Sequence, residues 1–160
     1  MGDRTDMHLL SPASGLVNPI GDHLDFLLRR CHAGLSEHVA REARAYDLRP
    51  TEFAVLSVVR QNRNIRPSHL SDMLGVKLGN LSPLLDRLEE RGFILRRRAL
   101  ADQRALELQI TPAGRAVAAK VTRVVDGHFA TIGALMGETE YAVLVSLLRK
   151  LHEVVQSRTM

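Results

Sequence analysis

The run Pro67-Ser68-His69-Leu70-Ser71-Asp72-Met73-Leu74 stops at Gly75, turns through Val76-Lys77-Leu78-Gly79-Asn80, and resumes as Leu81-Ser82-Pro83-Leu84-Leu85-Asp86-Arg87-Leu88-Glu89-Glu90-Arg91 before Gly92. Proline near the start suits a first helical turn, where no backbone N–H is needed, and glycine suits the left-handed residue that ends a helix. A two-turn helix, a glycine-containing turn and a longer amphipathic helix with a polar outer face are the parts of a helix-turn-helix.

Downstream of Gly92 the period changes from helical to alternating. Phe93-Ile94-Leu95-Arg96-Arg97-Arg98 and Leu106-Glu107-Leu108-Gln109-Ile110 read as two strands joined by a polar turn over Ala99 to Ala105, a hairpin with a charged tip. Alternation turns one of Arg96, Arg97 and Arg98 toward the core side. Thr111-Pro112 then supplies an N-cap and a first-turn proline for a helix through Val117, Val121 and Val124 to Leu135. Gly137-Glu138 marks a sharp turn into a last helix with Leu144, Leu148, Leu151 and Val155 on one stripe.

Upstream, Ile20, Leu24, Leu27, Cys31, Leu35 and Val39 step by three and four along a long helix that ends at Leu48-Arg49-Pro50. A second helix starts near Thr51, read as its N-cap, with Phe53, Leu56 and Val59 on its buried side. The fold class is therefore mainly α with a small β-hairpin wing, a winged helix-turn-helix. Residues 1–17 read as a flexible N-terminal arm, 18–48 and 112–157 as a helical dimerisation region, and 50–111 as the winged helix-turn-helix lobe.

The 160 residues allow one core of useful size. There are 22 Lys and Arg against 18 Asp and Glu, so an anionic partner is permitted and not demanded. One cysteine excludes an intrachain disulfide, and no apolar run has signal-peptide or membrane-span length. These features place the chain, as an expectation, in the cytoplasm with no membrane partner. No nucleophile elbow, phosphate loop or paired-carboxylate pattern is present, so an enzyme is not expected.

An α-helix fits the major groove, and polar side chains at its N-terminal end reach bases and phosphates. The candidate DNA-binding residues are Lys77, Gly79, Asn80, Ser82, Pro83 and Arg87 on the second helix, and Arg97, Asp102 and Arg104 on the hairpin. Lys77 and Arg87 are expected to neutralise phosphates, and Asn80 and Ser82 to offer hydrogen bonds. Arg104 stands at the hairpin tip, where it can probe the narrow minor groove.

Leu74-Gly75-Val76, then Asn80 to Glu89, then Arg91-Gly92-Phe93-Ile94, then Asp102-Gln103-Arg104, then Leu108 to Gly114 resemble the MarR family of winged-helix repressors, with architecture matching over residues 20–157. The resemblance implies a homodimer built by the first and last helices, with recognition helices in successive major grooves of pseudo-palindromic double-stranded DNA. It implies that Arg104 enters the minor groove and that Asp102 orients it. Pro83 departs from the polar or basic residue common at its position. An interior proline costs about 3 kcal/mol, which favours a helix beginning tightly at Ser82.

Arg29, Arg30 and His32, with Arg60 of the second helix, are the candidate effector-binding residues. Cations beside apolar walls suit an aromatic acid or its CoA thioester, ligand classes the resemblance implies, while plain surface charge is the simpler account. Cys31 on the apolar stripe reads as a buried, inert thiol. No histidine pair has ligand spacing, and neither a metal site nor a cofactor is assigned. The apolar stripes of the first and last helices exceed what one small lobe covers, so a homodimer is expected. The leading function is a DNA-binding transcriptional repressor relieved by a small-molecule effector. A regulator gated by Cys31 oxidation or a metal, and a protein-interaction module, are the alternatives.

Overall fold

Apolar periods translate into elements in the expected order: α1 (Leu24–Arg44), α2 (Pro50–Gln61), α3 (Pro67–Leu74), α4 (Leu78–Glu90), β1 (Ile94–Arg98), β2 (Leu106–Ile110), α5 (Pro112–Met136) and α6 (Glu138–Arg158). They come from a computed structural model that describes residues 18–98 and 105–158. The N-terminal arm and the candidate tip residues Asp102 and Arg104 lie outside the described residues. The chain forms two units, Met1–His38 and Val39–Met160, with the boundary inside α1.

In the first unit none of the described residues is buried. Arg29 stacks its guanidinium over the Phe26 ring at 5.5 Å, and His32 shares a hydrogen bond with the Ser36 hydroxyl one turn on. Cys31 is exposed, which corrects the expectation of a buried thiol. Ile20, Leu24 and Leu28 of the same segment are exposed as well.

The second unit holds the core. Leu56, Leu70, Leu81, Leu85, Leu88, Ile94, Leu108 and Val121 are fully buried. Each contributes roughly 1.5–3 kcal/mol relative to an exposed position. In α4 the buried set is Leu81, Leu85 and Leu88, the i, i+4, i+7 stripe of a helix lying on a core. β1 and β2 pair antiparallel from Ile94 opposite Ile110 to Arg98 opposite Leu106, and Ile65 adds a single bridge to Leu108.

Helix ends follow local chemistry, with two corrections. α2 begins at Pro50 and not at Thr51, because the Arg49 N–H is met by the Glu52 carboxylate at 2.8 Å, which stabilises an earlier start. α4 begins at Leu78, one turn before Ser82, so Pro83 sits inside the helix. The bond lost at Pro83 falls on an exposed face, where water can serve the freed carbonyl, so the helix continues across it. α5 starts as expected: the Thr111 hydroxyl accepts from the Gly114 N–H at 3.0 Å and donates to the Gly92 carbonyl at 2.7 Å.

Gly114 is needed for a different reason. A Cβ there would stand 2.1 Å from the Phe93 carbonyl oxygen, so only glycine lets α5 approach the end of the α4–β1 connection this closely. Among the described residues of α6 none is buried, and Val143, Leu144, Leu147, Leu148, Val154 and Val155 are exposed along it. No single helix among the described residues is long and apolar enough to cross a membrane.

Candidate nucleic-acid interface

Between α3 and α4 lies a three-residue turn. Gly75 takes the left-handed conformation (φ +62°), and the Ser71 hydroxyl donates to the Val76 carbonyl at 2.6 Å, fixing the angle at which α4 leaves. With Leu81, Leu85 and Leu88 turned inward, the opposite face of α4 presents Gly79, Asn80, Ser82 and Pro83 outward, and Lys77 stands exposed at the N-cap. Five of the six candidate positions of this segment therefore share one solvent-facing surface at the N-terminal end of the helix. No acidic residue stands in the first turn of α4, so the positive end of the helix dipole adds to Lys77 there.

Arg87, the sixth, is engaged within the protein. Its Nε lies 3.2 Å from Oε1 of Glu52, and its Nη2 lies 3.3 Å from a carboxylate oxygen of Asp47. Glu52 is fully buried. The guanidinium is thus matched by two carboxylates, one of them without solvent, while about a third of the side chain stays exposed. Its place at the end of the amphipathic run was legible, but the partners that claim it are 35 and 40 residues away in the chain. Arg91 works in the same direction, donating to the backbone carbonyls of Asp47 and Tyr46 and stacking over Phe93 at 4.7 Å. Asp47 itself has φ +51°, the left-handed region.

The hairpin is clamped to α4 by Arg96. Its Nη1 lies 2.5 Å from Asp86 and 3.1 Å from Glu89, and its backbone N–H donates to Glu89 at 3.0 Å. Alternation sets Arg96 and Arg98 on the same side of β1 as buried Ile94, and of the two only Arg96, in register with Leu108, is half-buried. Arg97 faces out, opposite Glu107, and Arg98 is exposed. Asp86 and Glu89 would repel a phosphate if unpaired; Arg96 offsets both while it fixes the strand.

The effector candidates fall in different units. Arg29, Arg30 and His32 are exposed on the part of α1 that belongs to the first. Arg60 belongs to the second, where it lines a cavity of about 400 Å³ with Arg63, Asn64, Gln109 and Arg115. Among the described residues no three His, Cys, Asp or Glu side chains converge as metal ligands.

Sequence reasoning missed the Glu52–Arg87–Asp47–Arg91 network and the Arg96 clamp. The only local hint was Glu52, a carboxylate set within the apolar run of α2.

Residues 48–106 match the MarR family. The Escherichia coli (strain K12) transcriptional repressor MprA is 31% identical over 119 residues, covering 73% of this chain and 68% of that protein. The transcriptional repressor CouR bound to a 23-mer DNA duplex is 26% identical, with a TM-score of 0.78 over 86% of this chain and 99% of that one. CouR bound to p-coumaroyl-CoA is 25% identical, with a TM-score of 0.76 over 86% of this chain and 96% of that one.

Proposed function

Because this chain belongs to the MarR family, we propose that it is a sequence-specific, double-stranded DNA-binding transcriptional repressor, acting as a homodimer and released from DNA by a small effector. The observation that carries the reading is the outward face of α4, where Lys77, Gly79, Asn80, Ser82 and Pro83 stand exposed over a buried leucine stripe. Lys77 meets phosphate, Asn80 and Ser82 meet base edges or backbone, and Gly79 and Pro83 keep that surface low enough for close approach. Arg97 meets the flanking backbone, and the tip carrying Asp102 and Arg104 reaches the minor groove. Arg87 is assigned to the framework that holds α4.

Residues 18–48 and 112–157 form the dimerisation region of this proposal, supported by the exposed apolar residues of α1 and α6. Two copies related by a two-fold axis would set their α4 helices about one DNA turn apart, which implies a pseudo-palindromic operator. The protein is assigned to the cytoplasm, with no catalytic activity. The decisive experiment is retention of sheared DNA from its own genome in excess nonspecific competitor. Enrichment of fragments sharing one inverted repeat is expected, and uniform recovery of all fragments overturns the reading.

The effector is proposed to be an aromatic acid or its CoA thioester, a class supported by the p-coumaroyl-CoA complex of CouR. Arg29, Arg30 and His32 are the cations proposed to receive its anionic groups. Titration with phenolic acids and acyl-CoA thioesters tests this, and a flat response across both panels removes it. Exposure of Cys31 favours one second reading, release by oxidation of that thiol. Peroxide sensitivity of DNA binding that vanishes in Cys31→Ser separates the two.

A further inference from the structure

We infer that the cavity between the end of α2, the end of β2 and the first turn of α5 is a binding site for a small, multiply charged oxyanion, a metabolite bearing phosphate or several carboxylates. Arg60, Arg63 and Arg115 line this space of about 400 Å³, and among the described residues no carboxylate lines it with them. None of the three guanidinium groups has an ion-pair partner among the described residues, whereas Arg87, Arg91 and Arg96 are all paired. Three like charges gathered on one concave surface repel one another, and the field they focus favours a compact anion of charge two or more.

The neutral part of the lining is set for the same ligand. Gln109 donates through Nε2 to Oδ1 of Asn64 at 2.7 Å, which fixes the Asn64 amide and leaves its NH2 group as a donor. Arg115 lies in the first turn of α5, whose N-terminal dipole adds positive potential. The volume is at the lower end of the range for small-molecule sites, about 300–1,000 Å³. Guanidinium forks match the oxygens of phosphate and carboxylate alike.

This site is distinct in place from the proposed DNA contacts. Gln109 and Ile110 pair with Leu95 and Ile94 at the base of the hairpin. At about 3.3 Å per residue, Ile110 is roughly 13 Å along the strand from Leu106, where β2 leaves the tip. The inference goes beyond the repressor reading and stands or falls without it.

The experiment is calorimetric titration of the full chain, free of DNA, with inorganic phosphate and with citrate at constant ionic strength set by KCl. Saturable binding of one or both anions, one per chain, is expected, and the tighter of the two identifies the oxyanion class. Arg63→Gln and Arg115→Gln, both at exposed positions that leave the fold intact, each weaken it by about tenfold or more. Arg149→Gln on α6 leaves it unchanged. Binding that survives both cavity substitutions, or no saturable heat from either anion, overturns the assignment. Loss of DNA affinity and of its salt dependence in these variants, with no anion bound by the parent chain, makes the cavity a backbone contact and overturns it equally.

Discussion

Arg87 Nε stands 3.2 Å from Oε1 of Glu52, so the fully buried acid of α2 and the last turn of α4 are joined across the core of the winged lobe. The contact lies outside hydrogen-bond geometry, and Glu52 is otherwise held by the Arg49 N–H, so the pair is chiefly electrostatic. A buried charge left without its partner is costly, while a matched pair is close to neutral against an apolar replacement.

Removing one partner therefore has a larger effect than removing both. Arg87→Met is expected to cost about 2–3 kcal/mol of unfolding free energy, discounted because the arginine is about a third exposed. The double variant Arg87→Met with Glu52→Leu should recover at least half of that loss. Urea unfolding measures both, and strictly additive losses would sink the buried-pair account.

Arg96 and Arg97 are neighbours with different work, and DNA binding should separate them. Arg97→Ala removes an exposed charge and is expected to lower the slope of log affinity against log salt by about one. Arg96→Ala frees the hairpin from Asp86 and Glu89, weakening affinity with a smaller change in slope. Titrations at three salt concentrations distinguish the two, and identical slopes for both variants would contradict the clamp.

Two glycines make a matched stability test. Gly114→Ala places a methyl group within 2.1 Å of the Phe93 carbonyl, where backbone must move, and a loss of about 3 kcal/mol or complete unfolding is expected. Gly79→Ala meets nothing within 4 Å and should hold or raise stability by up to about 1 kcal/mol. Thermal unfolding ranks them, and a well-folded Gly114→Ala protein would refute the close approach. If Gly79→Ala also binds DNA at least tenfold more weakly, the backbone there approaches the duplex.

The exposed stripe of α6 predicts the assembly. Leu147→Glu sets a charge on a face that also carries Val143, Leu144 and Leu148, and it should convert a dimer to a monomer in sedimentation velocity. Operator binding should fall with it, because one recognition helix loses the avidity of two. A variant that stays dimeric places the interface elsewhere.

Much of this protein was written in local signals. Pro67, Gly75 and Gly92 punctuate the helix-turn-helix, Thr111-Pro112 starts α5, and the leucine stripe of α4 says which face is buried, because each depends only on backbone chemistry or on a fixed helical period. That stripe also gives, by subtraction, the outer positions Lys77, Asn80 and Ser82. Two boundaries escaped for the opposite reason. The start of α2 rests on a carboxylate three residues into the helix, and the passage of α4 across Pro83 rests on solvent at an exposed face, neither of which a propensity describes.

Pairing across distance belongs to the tertiary structure alone. Periodicity marks Arg87 and Arg96 as polar positions but carries no information about which carboxylate comes near, since Asp47 and Glu52 are brought to Arg87 only by packing of the leucine core. The gathering of Arg60, Arg63 and Arg115 around one cavity has the same origin. Local order follows from short-range sterics and hydrogen bonding, whereas charge partnership follows from where the chain returns in space, and that is fixed only once the apolar faces have closed on one another.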